Sequence, residues 1–192
     1  LGYLLLLETL DQPDREFGTR AGRVLAAASN AGMTTSVDVV SEHSDRFRDV
    51  VMPTMPWTDI AFMNETEAAA CTGLACRGSN GLDREAVHAA AARILQAGVR
   101  QSVVIHAPEG ALLLMRDGQA IWQDAALVSQ VKGAAGAGDA FAAGFLYGYH
   151  EGEPPARCML FGACSAAASL SAVDATSGVR HIDECLALAG LG

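Results

Sequence analysis

GAGDAFAAGFLYG, residues 136–148, is the most informative stretch of the chain, because two glycines and an alanine directly precede a predicted helix that opens with Asp139. Small residues let the backbone come close to a ligand. The amide groups and the positive end of a helix start attract anions. We therefore predict that Gly136, Ala137 and Gly138 form an anion hole. A carboxylate in the place of Asp139 can accept a proton from an attacking hydroxyl while the anion hole stabilises a transferring phosphoryl group.

The same residues also have a purely structural interpretation. Gly-Ala-Gly can form a tight turn, and Asp is a common N-cap residue of helices. Two other phosphate-binding motifs do not fit the stretch. A Walker A loop needs Gly-Lys-Ser/Thr, and a Rossmann fingerprint needs a further glycine where Phe141 stands, in a loop near the start of the fold.

The length and charge of the chain limit the classes of protein it can belong to. The 192 residues are enough for one domain with a sizeable core. The formal net charge is -9, which argues against a nucleic-acid partner, because nucleic acids need a basic face. A nucleotide remains compatible with this charge, since backbone amides and Mg²⁺ can hold its phosphates. We predict a single α/β domain over residues 1–192.

The opening residues and the cysteines indicate the cellular setting. The apolar run at residues 4–7 is far too short to span a bilayer and lacks the flanking features of a signal peptide. The five cysteines form no CxxC pair, so buried thiols in a reducing cytosol are favoured over a zinc site. We predict a cytoplasmic protein without a membrane partner. The chain also starts inside a predicted strand without Met, so we expect that a preceding segment is missing.

Hydrophobic periodicity predicts alternating strands and helices, the pattern of a mostly parallel sheet covered by helices. The predicted strands cover residues 1–9, 34–40, 59–63, 102–106, 111–115, 120–123 and 125–130. The predicted helices cover residues 45–51, 65–71, 83–97, 139–148, 154–168 and 182–189. An earlier helix is expected to start near Pro13 and Asp14 and to end at Gly32. Pro53 and Pro56 are expected to close the helix at 45–51.

The stretch at residues 136–148 resembles the C-terminal signature of the PfkB/ribokinase family of sugar kinases. The resemblance covers the whole chain in order and implies a ribokinase-like α/β fold, truncated at its N-terminus. It implies that Asp139 is the general base of a carbohydrate kinase and that Gly136, Ala137 and Gly138 are its anion hole. In the family, this base deprotonates a sugar hydroxyl, which attacks the γ-phosphate of ATP. The partners implied are therefore ATP and a sugar-like small molecule.

A second segment, Asn64-Glu65-Thr66-Glu67, resembles the family's Asn-x-x-Glu motif after a strand. The resemblance implies that Glu67, with Asn64 beside it, helps to hold Mg²⁺ and its water near the phosphates. The physical alternative is a capping box, in which Asn64 is the N-cap and Glu67 is the third helical residue.

A third segment, VVIHAPEGA at residues 103–111, is similar to the strand and turn that lie along ATP in these kinases. Gly110 matches the family pattern, whereas Ile105 and Ala107 stand where threonine and glycine are frequent. His106 is better interpreted as a structural than as a catalytic histidine. The resemblance implies a nucleotide-binding set made of His106, Ala107, Gly110, Gly136 and Gly138.

The chain also departs from the family pattern. Gly133 stands where many members carry an Asp that is tied to a monovalent-cation site, so this carboxylate is missing. The family's N-terminal portion, which carries a Gly-Gly motif, most sugar contacts and a lid, has no counterpart in the sequence. We therefore expect self-association, or an adjacent chain, that covers residues 4–6 at the first strand.

Two alternative functions remain open at this level. The first is a truncated, inactive fragment that binds nucleotide or assembles with other chains, and the departure at the front of the chain motivates it. The second is an NAD- or flavin-binding Rossmann domain, which the absence of GxGxxG after the first strand disfavours.

Overall fold

The fold is taken from a computed structural model that describes residues 1–42, 44–128 and 130–190. Its backbone contacts divide the chain into two compact units, Leu1–Ala107 with Leu112–Ala120, and Pro108–Ala111 with Ile121–Gly192. The elements follow in chain order: β1 (Gly2–Leu4), β2 (Pro13–Asp14), β3 (Gly18–Thr19), α1 (Arg20–Asn30), β4 (Ser36–Val39), a π-helical turn (Phe47–Val51), a 3₁₀ helix (Met52–Trp57), β5 (Ile60–Asn64), α2 (Glu65–Thr72), β6 (Arg77–Gly78), β7 (Gly81–Leu82), α3 (Arg84–Gln96), β8 (Ser102–Ala107), β9 (Gly110–Met115), β10 (Ala120–Asp124), α4 (Ala137–His150), α5 (Pro155–Ser169) and α6 (Ile182–Leu188).

The main sheet has six strands in the order β1-β4-β5-β8-β9-β10. β1 pairs in parallel with β4, β4 with β5, and β5 with β8. The first four residues of β5 and of β8 are buried without a break, as parallel strands require when helices cover both faces of a sheet. The prediction of a mostly parallel sheet flanked by helices is confirmed.

The first predicted strand is much shorter than residues 1–9. β1 ends at Leu4, and Leu5 adopts a left-handed backbone with φ of 86°. The carboxylate of Asp11 accepts hydrogen bonds from the amides of Leu5 and Leu7, at 3.2 and 3.1 Å. These bonds hold the segment in a turn, so it cannot continue along the sheet.

The first helix also starts later than the sequence predicts. Pro13–Asp14 pairs with Gly18–Thr19 in a small antiparallel hairpin, and α1 begins only at Arg20. The hydroxyl of Thr19 caps this helix by accepting a hydrogen bond from the amide of Gly22, at 3.0 Å. Asp14 therefore serves a turn and not a helix start.

Two further predictions in this part of the chain need correction. The helix expected at 45–51 is a π-helical turn that continues into the 3₁₀ helix Met52–Trp57. Pro53 stands in the first turn of that 3₁₀ helix, where a missing amide costs little, and Pro56 lies inside it, so the prolines do not close the segment.

The strand expected at 125–130 is also wrong, because residues 125–128 and 130 have no regular structure. Residue 129 lies outside the described residues.

The second unit is mainly helical. α4 and α5 pack closely at Gly144, where a Cβ atom would lie 2.5 Å from the carbonyl oxygen of Phe161. α6 joins them through a buried cluster made of Phe161, Cys164, Ala168, Cys185 and Leu186. Among the described residues, no helix is long and apolar enough to cross a membrane.

Candidate active site

The stretch at residues 136–148 comprises the N-cap and most of α4. Gly136 is the N-cap residue and has a left-handed backbone with φ of 77°. The helix begins at Ala137, two residues before the predicted start, so Asp139 is its third residue and lies exposed to solvent. The interpretation of Asp139 as the N-cap is therefore wrong, because Gly136 occupies that position.

The loop before α4 is held by close packing within its own unit. The amide of Lys132 donates to the carbonyl oxygen of Leu170 at 2.8 Å. A Cβ atom at Gly133 would lie 2.6 Å from the carbonyl oxygen of Val173, and one at Gly136 would lie 2.7 Å from the Cβ of Ala175. Both glycines are needed for this approach. The same packing leaves no room for a carboxylate-bearing side chain at Gly133.

The first turn of α4 has the geometry expected of an anion-binding helix start. The amides of the first helical turn have no acceptor within the helix, and the helix dipole places partial positive charge there. Gly138 is the second residue of this turn and Asp139 is the third. An exposed carboxylate therefore lies next to backbone groups that favour an anion, which is the arrangement that phosphoryl transfer to a hydroxyl requires.

Asn64 and Glu67 form a capping box at the start of α2. The side-chain oxygen of Asn64 accepts hydrogen bonds from the amides of Thr66 and Glu67, at 2.9 and 2.8 Å. In return, Glu67 Oε2 accepts from the backbone amide of Asn64 at 2.8 Å. The structural alternative given for this motif is thus confirmed, and it fixes both side chains at the carboxyl end of β5.

A third side chain, Ser41, completes this cluster. Its hydroxyl donates to Glu67 Oε1 at 2.7 Å and accepts from Asn64 Nδ2 at 2.8 Å. Ser41 follows β4, which lies beside β5 in the sheet. Sequence reasoning missed Ser41, and the one available signal was its position just after a predicted strand, where ligands of α/β folds gather.

The carboxylate of Glu67 is buried, with 4% of the residue exposed. This burial raises the pKa of Glu67, because removal from water disfavours the charged form. The hydrogen bonds from the Asn64 amide and from Ser41 oppose the shift, and the nearby charge of Glu65 adds to it. The cluster therefore keeps an acidic side chain in a confined and well-ordered place.

The donor set fits indirect contact with Mg²⁺ better than direct coordination. Glu67 Oε1 accepts hydrogen bonds from Ser41 and from Asn64 Nδ2, which fill its lone pairs, whereas Oε2 accepts one bond in the described part of the chain. Within residues 1–42, 44–128 and 130–190, no group of three or more His, Cys, Asp or Glu side chains could hold a metal ion by itself.

The nucleotide-binding set predicted from residues 103–111 lies at the ends of two strands. His106 is the register partner of Asn64 in the parallel pair β5/β8, and Ala107 is the last residue of β8. Gly110 is the first residue of β9, is buried, and has φ of 151°. A Cβ atom at Gly110 would lie 2.5 Å from the carbonyl oxygen of Gln123, so this turn accepts only glycine.

Comparison with known proteins identifies the family. The family model described as pfkB family carbohydrate kinase matches residues 4–182. The chain belongs to the pfkB family of carbohydrate kinases. Family membership confirms the resemblance seen in residues 136–148. The comparison with curated proteins gives no match.

Solved structures of pfkB-type kinases share the fold. Ribokinase from Arabidopsis thaliana, complexed with ribose and ATP, is similar with a TM-score of 0.76 and 24% identity, over 88% of this chain and 52% of that one. A probable sugar kinase from Rhizobium etli is similar with a TM-score of 0.68 and 25% identity, over 90% of this chain and 51% of that one. Phosphofructokinase-2 from Escherichia coli, in complex with substrates and products, is similar with a TM-score of 0.69 and 19% identity, over 88% of this chain and 50% of that one. The chain spans about half the length of these structures.

Proposed function

We propose that the chain carries the catalytic side of an ATP-dependent phosphotransferase that acts on the hydroxyl of a sugar or sugar-like small molecule. The observation that carries this proposal is the start of α4, where the exposed carboxylate of Asp139 lies in the first helical turn after the left-handed Gly136. Family membership supports the reaction class, and the Arabidopsis ribokinase, whose fold is similar, was solved with ribose and ATP.

Asp139 is the general base in this proposal. Its carboxylate takes the proton of the acceptor hydroxyl, and the hydroxyl oxygen attacks the γ-phosphorus of ATP. The bond from that phosphorus to the β,γ-bridging oxygen breaks, and ADP leaves with the electron pair. Gly136, Ala137 and Gly138 form the anion hole that stabilises the negative charge on the transferring group.

The nucleotide is proposed to lie along His106, Ala107, Gly110, Gly136 and Gly138, as the family resemblance implies. When bound, Mg²⁺ would neutralise phosphate charge near the reacting oxygens. Asn64 and Glu67 would hold it indirectly, through water at Glu67 Oε2. The free, buried state of all five cysteines supports a reducing, cytoplasmic setting.

A second candidate is a nucleotide-binding fragment without transfer activity, alone or assembled with other chains. The observation that favours it is the length of the match, because the chain spans only 52% of the Arabidopsis ribokinase structure. The two candidates differ in turnover, which an ADP-release assay over a panel of sugars measures. ATP binding without ADP release on any sugar would support this second candidate.

The substitution Asp139→Asn tests the role of the base. Asn keeps the shape of the side chain but lacks the basicity, so we expect ATP affinity within a few fold of wild type. We expect the rate of phosphoryl transfer to fall by roughly 10²–10⁴-fold, the usual contribution of a general base. Asp139 is a first-turn residue and not the N-cap, so loss of its interaction with the helix dipole in Asp139→Ala should cost about 0.3–1 kcal/mol of stability.

Asp183→Asn provides a matched control, because Asp183 is also an exposed carboxylate in the first turn of a helix, α6. This control should leave transfer unchanged. Near-normal turnover of Asp139→Asn would show that Asp139 is not the base and would overturn the mechanism proposed here.

A further inference from the structure

The hydroxyl of Ser41 donates a hydrogen bond to the Glu67 carboxylate from a distant part of the sequence. The bonds between Asn64 and Glu67 join residues three positions apart, and α2 would form them from its own sequence. The bond from Ser41 Oγ to Glu67 Oε1, at 2.7 Å, joins residues 26 positions apart. It therefore exists only when β4 and β5 lie side by side.

Ser41 fixes two groups at once. Its oxygen accepts from Asn64 Nδ2 at 2.8 Å while its proton goes to Glu67 Oε1. Asn64 Nδ2 also donates to Glu67 Oε1 at 2.9 Å. With Oε1 occupied in this way and Oε2 held by the Asn64 amide, the plane of the carboxylate cannot rotate without breaking several hydrogen bonds. The remaining acceptor capacity of Oε2 then points in one fixed direction.

The surroundings provide room for a hydrated ion. Ser41 and Glu67 line a cavity of about 390 Å³ whose lining mixes polar and apolar side chains, among them Glu42, Asp45, Phe47 and Ala70. Ser36 lies in β4, five positions before Ser41, and is not among the residues that line this cavity. Ser36 is therefore a half-buried serine of the same segment that can be compared with Ser41.

We propose that Ser41 is a positioning residue, which orients Glu67 toward a water of hydrated Mg²⁺ bound with ATP. This inference rests on the proposed function, because it assigns Ser41 a part in the same nucleotide site. In this proposal Ser41 acts through Glu67, whose carboxylate it holds. Removal of a group that orients a direct metal ligand typically changes metal affinity by about 10–100-fold, and contact through water places Ser41 at the lower end of that range.

The test is calorimetric titration of ATP into the chain, once with Mg²⁺ and once with EDTA. The ratio of the two affinities gives the gain from Mg²⁺, independently of turnover. The variants are Ser41→Ala, which removes the hydroxyl, Ser41→Thr, which keeps it, and Ser36→Ala as the matched control outside the cavity. The urea midpoint of each variant shows whether folding is retained.

We expect the Mg²⁺ gain of Ser41→Ala to fall by about tenfold, while Ser41→Thr and Ser36→Ala keep the wild-type gain. A general loss of structure would lower ATP affinity equally with Mg²⁺ and with EDTA, and that result would overturn the positioning role. A Mg²⁺ gain in Ser41→Ala equal to that of wild type, or an equal loss in Ser36→Ala, would also overturn it and would leave the proposed function standing. A wild-type chain that does not bind ATP would overturn both proposals.

Discussion

Replacement of Gly136 by alanine should destabilise the start of α4 for two separate reasons. The left-handed backbone, with φ of 77°, is unfavourable for any residue with a Cβ atom, at about 1–2 kcal/mol. The new Cβ would also lie 2.7 Å from the Cβ and 2.9 Å from the Cα of Ala175, and overpacking of this kind costs about 1–3 kcal/mol. We expect a total loss of about 2–5 kcal/mol in the free energy of unfolding.

Gly152 provides the control for the backbone effect. Its φ of 76° matches that of Gly136, and a Cβ atom there would meet nothing within 4 Å. Gly152→Ala should therefore cost about 1–2 kcal/mol, from the backbone alone. The difference between the two variants, about 1–3 kcal/mol, measures the contact between the anion-hole loop and Ala175.

The assay is urea unfolding of both variants, followed by circular dichroism in the helix band, with ATP affinity measured beside it. Gly136→Ala should also weaken ATP binding, because relief of the clash moves the amides of the first turn. Equal losses in the two variants, within about 0.5 kcal/mol, would refute the packing argument. A Gly136→Ala chain with wild-type ATP affinity would refute the assignment of this loop as the anion hole.

Two further predictions concern the first unit of the chain. The Arg23 side chain and two backbone amides lower the pKa of Asp14 to about 2, from an ordinary value of 3.8. The stability that this pairing contributes is therefore present above pH 3.8 and is lost as the pH falls toward about 2. In the variant Asp14→Asn, the urea midpoint should lose this dependence on pH. An identical pH profile for wild type and variant would contradict the assignment. Self-association at β1 stays a prediction. Tyr3 in the edge strand β1 is 50% exposed, and Leu6 in the turn that follows is 60% exposed. A Tyr3→Ser/Leu6→Ser double variant should therefore shift wild-type oligomers toward monomer in analytical ultracentrifugation. A wild-type chain that is monomeric at all concentrations would rule this out.

The expectation of a partner over residues 4–6 changes with the structure. Leu4 and Leu5 are 0% and 2% exposed within the chain itself, and only Leu6 of these three faces solvent. Sequence pattern shows that a run of leucines is apolar, but it does not show which of them the chain buries. The turn held by Asp11 decides that, because it folds Leu5 back toward the core and turns Leu6 outward.

Local signals placed most of the fold correctly. Runs of apolar residues identified β5 and β8, and the strands predicted at residues 111–115 and 120–123 correspond closely to β9 and β10. The capping box at Asn64 and Glu67 was also readable, because both partners of its hydrogen bonds lie within four residues. In each case the signal that identifies the element lies within its own short stretch of sequence.

Contacts between distant segments decided what the sequence left open. The helix start of α4 at Ala137 depends on Gly136, whose left-handed turn packs against Ala175, and the orientation of Glu67 depends on Ser41. No local pattern encodes such contacts, because they form only when the sheet brings its strand ends together and the helices pack against their neighbours. The sequence by itself therefore determined the family, the α/β class and the residue types of the site. The tertiary structure decided their geometry, since side chains and carbonyl groups far away in the chain hold the glycine loop and the carboxylate in place.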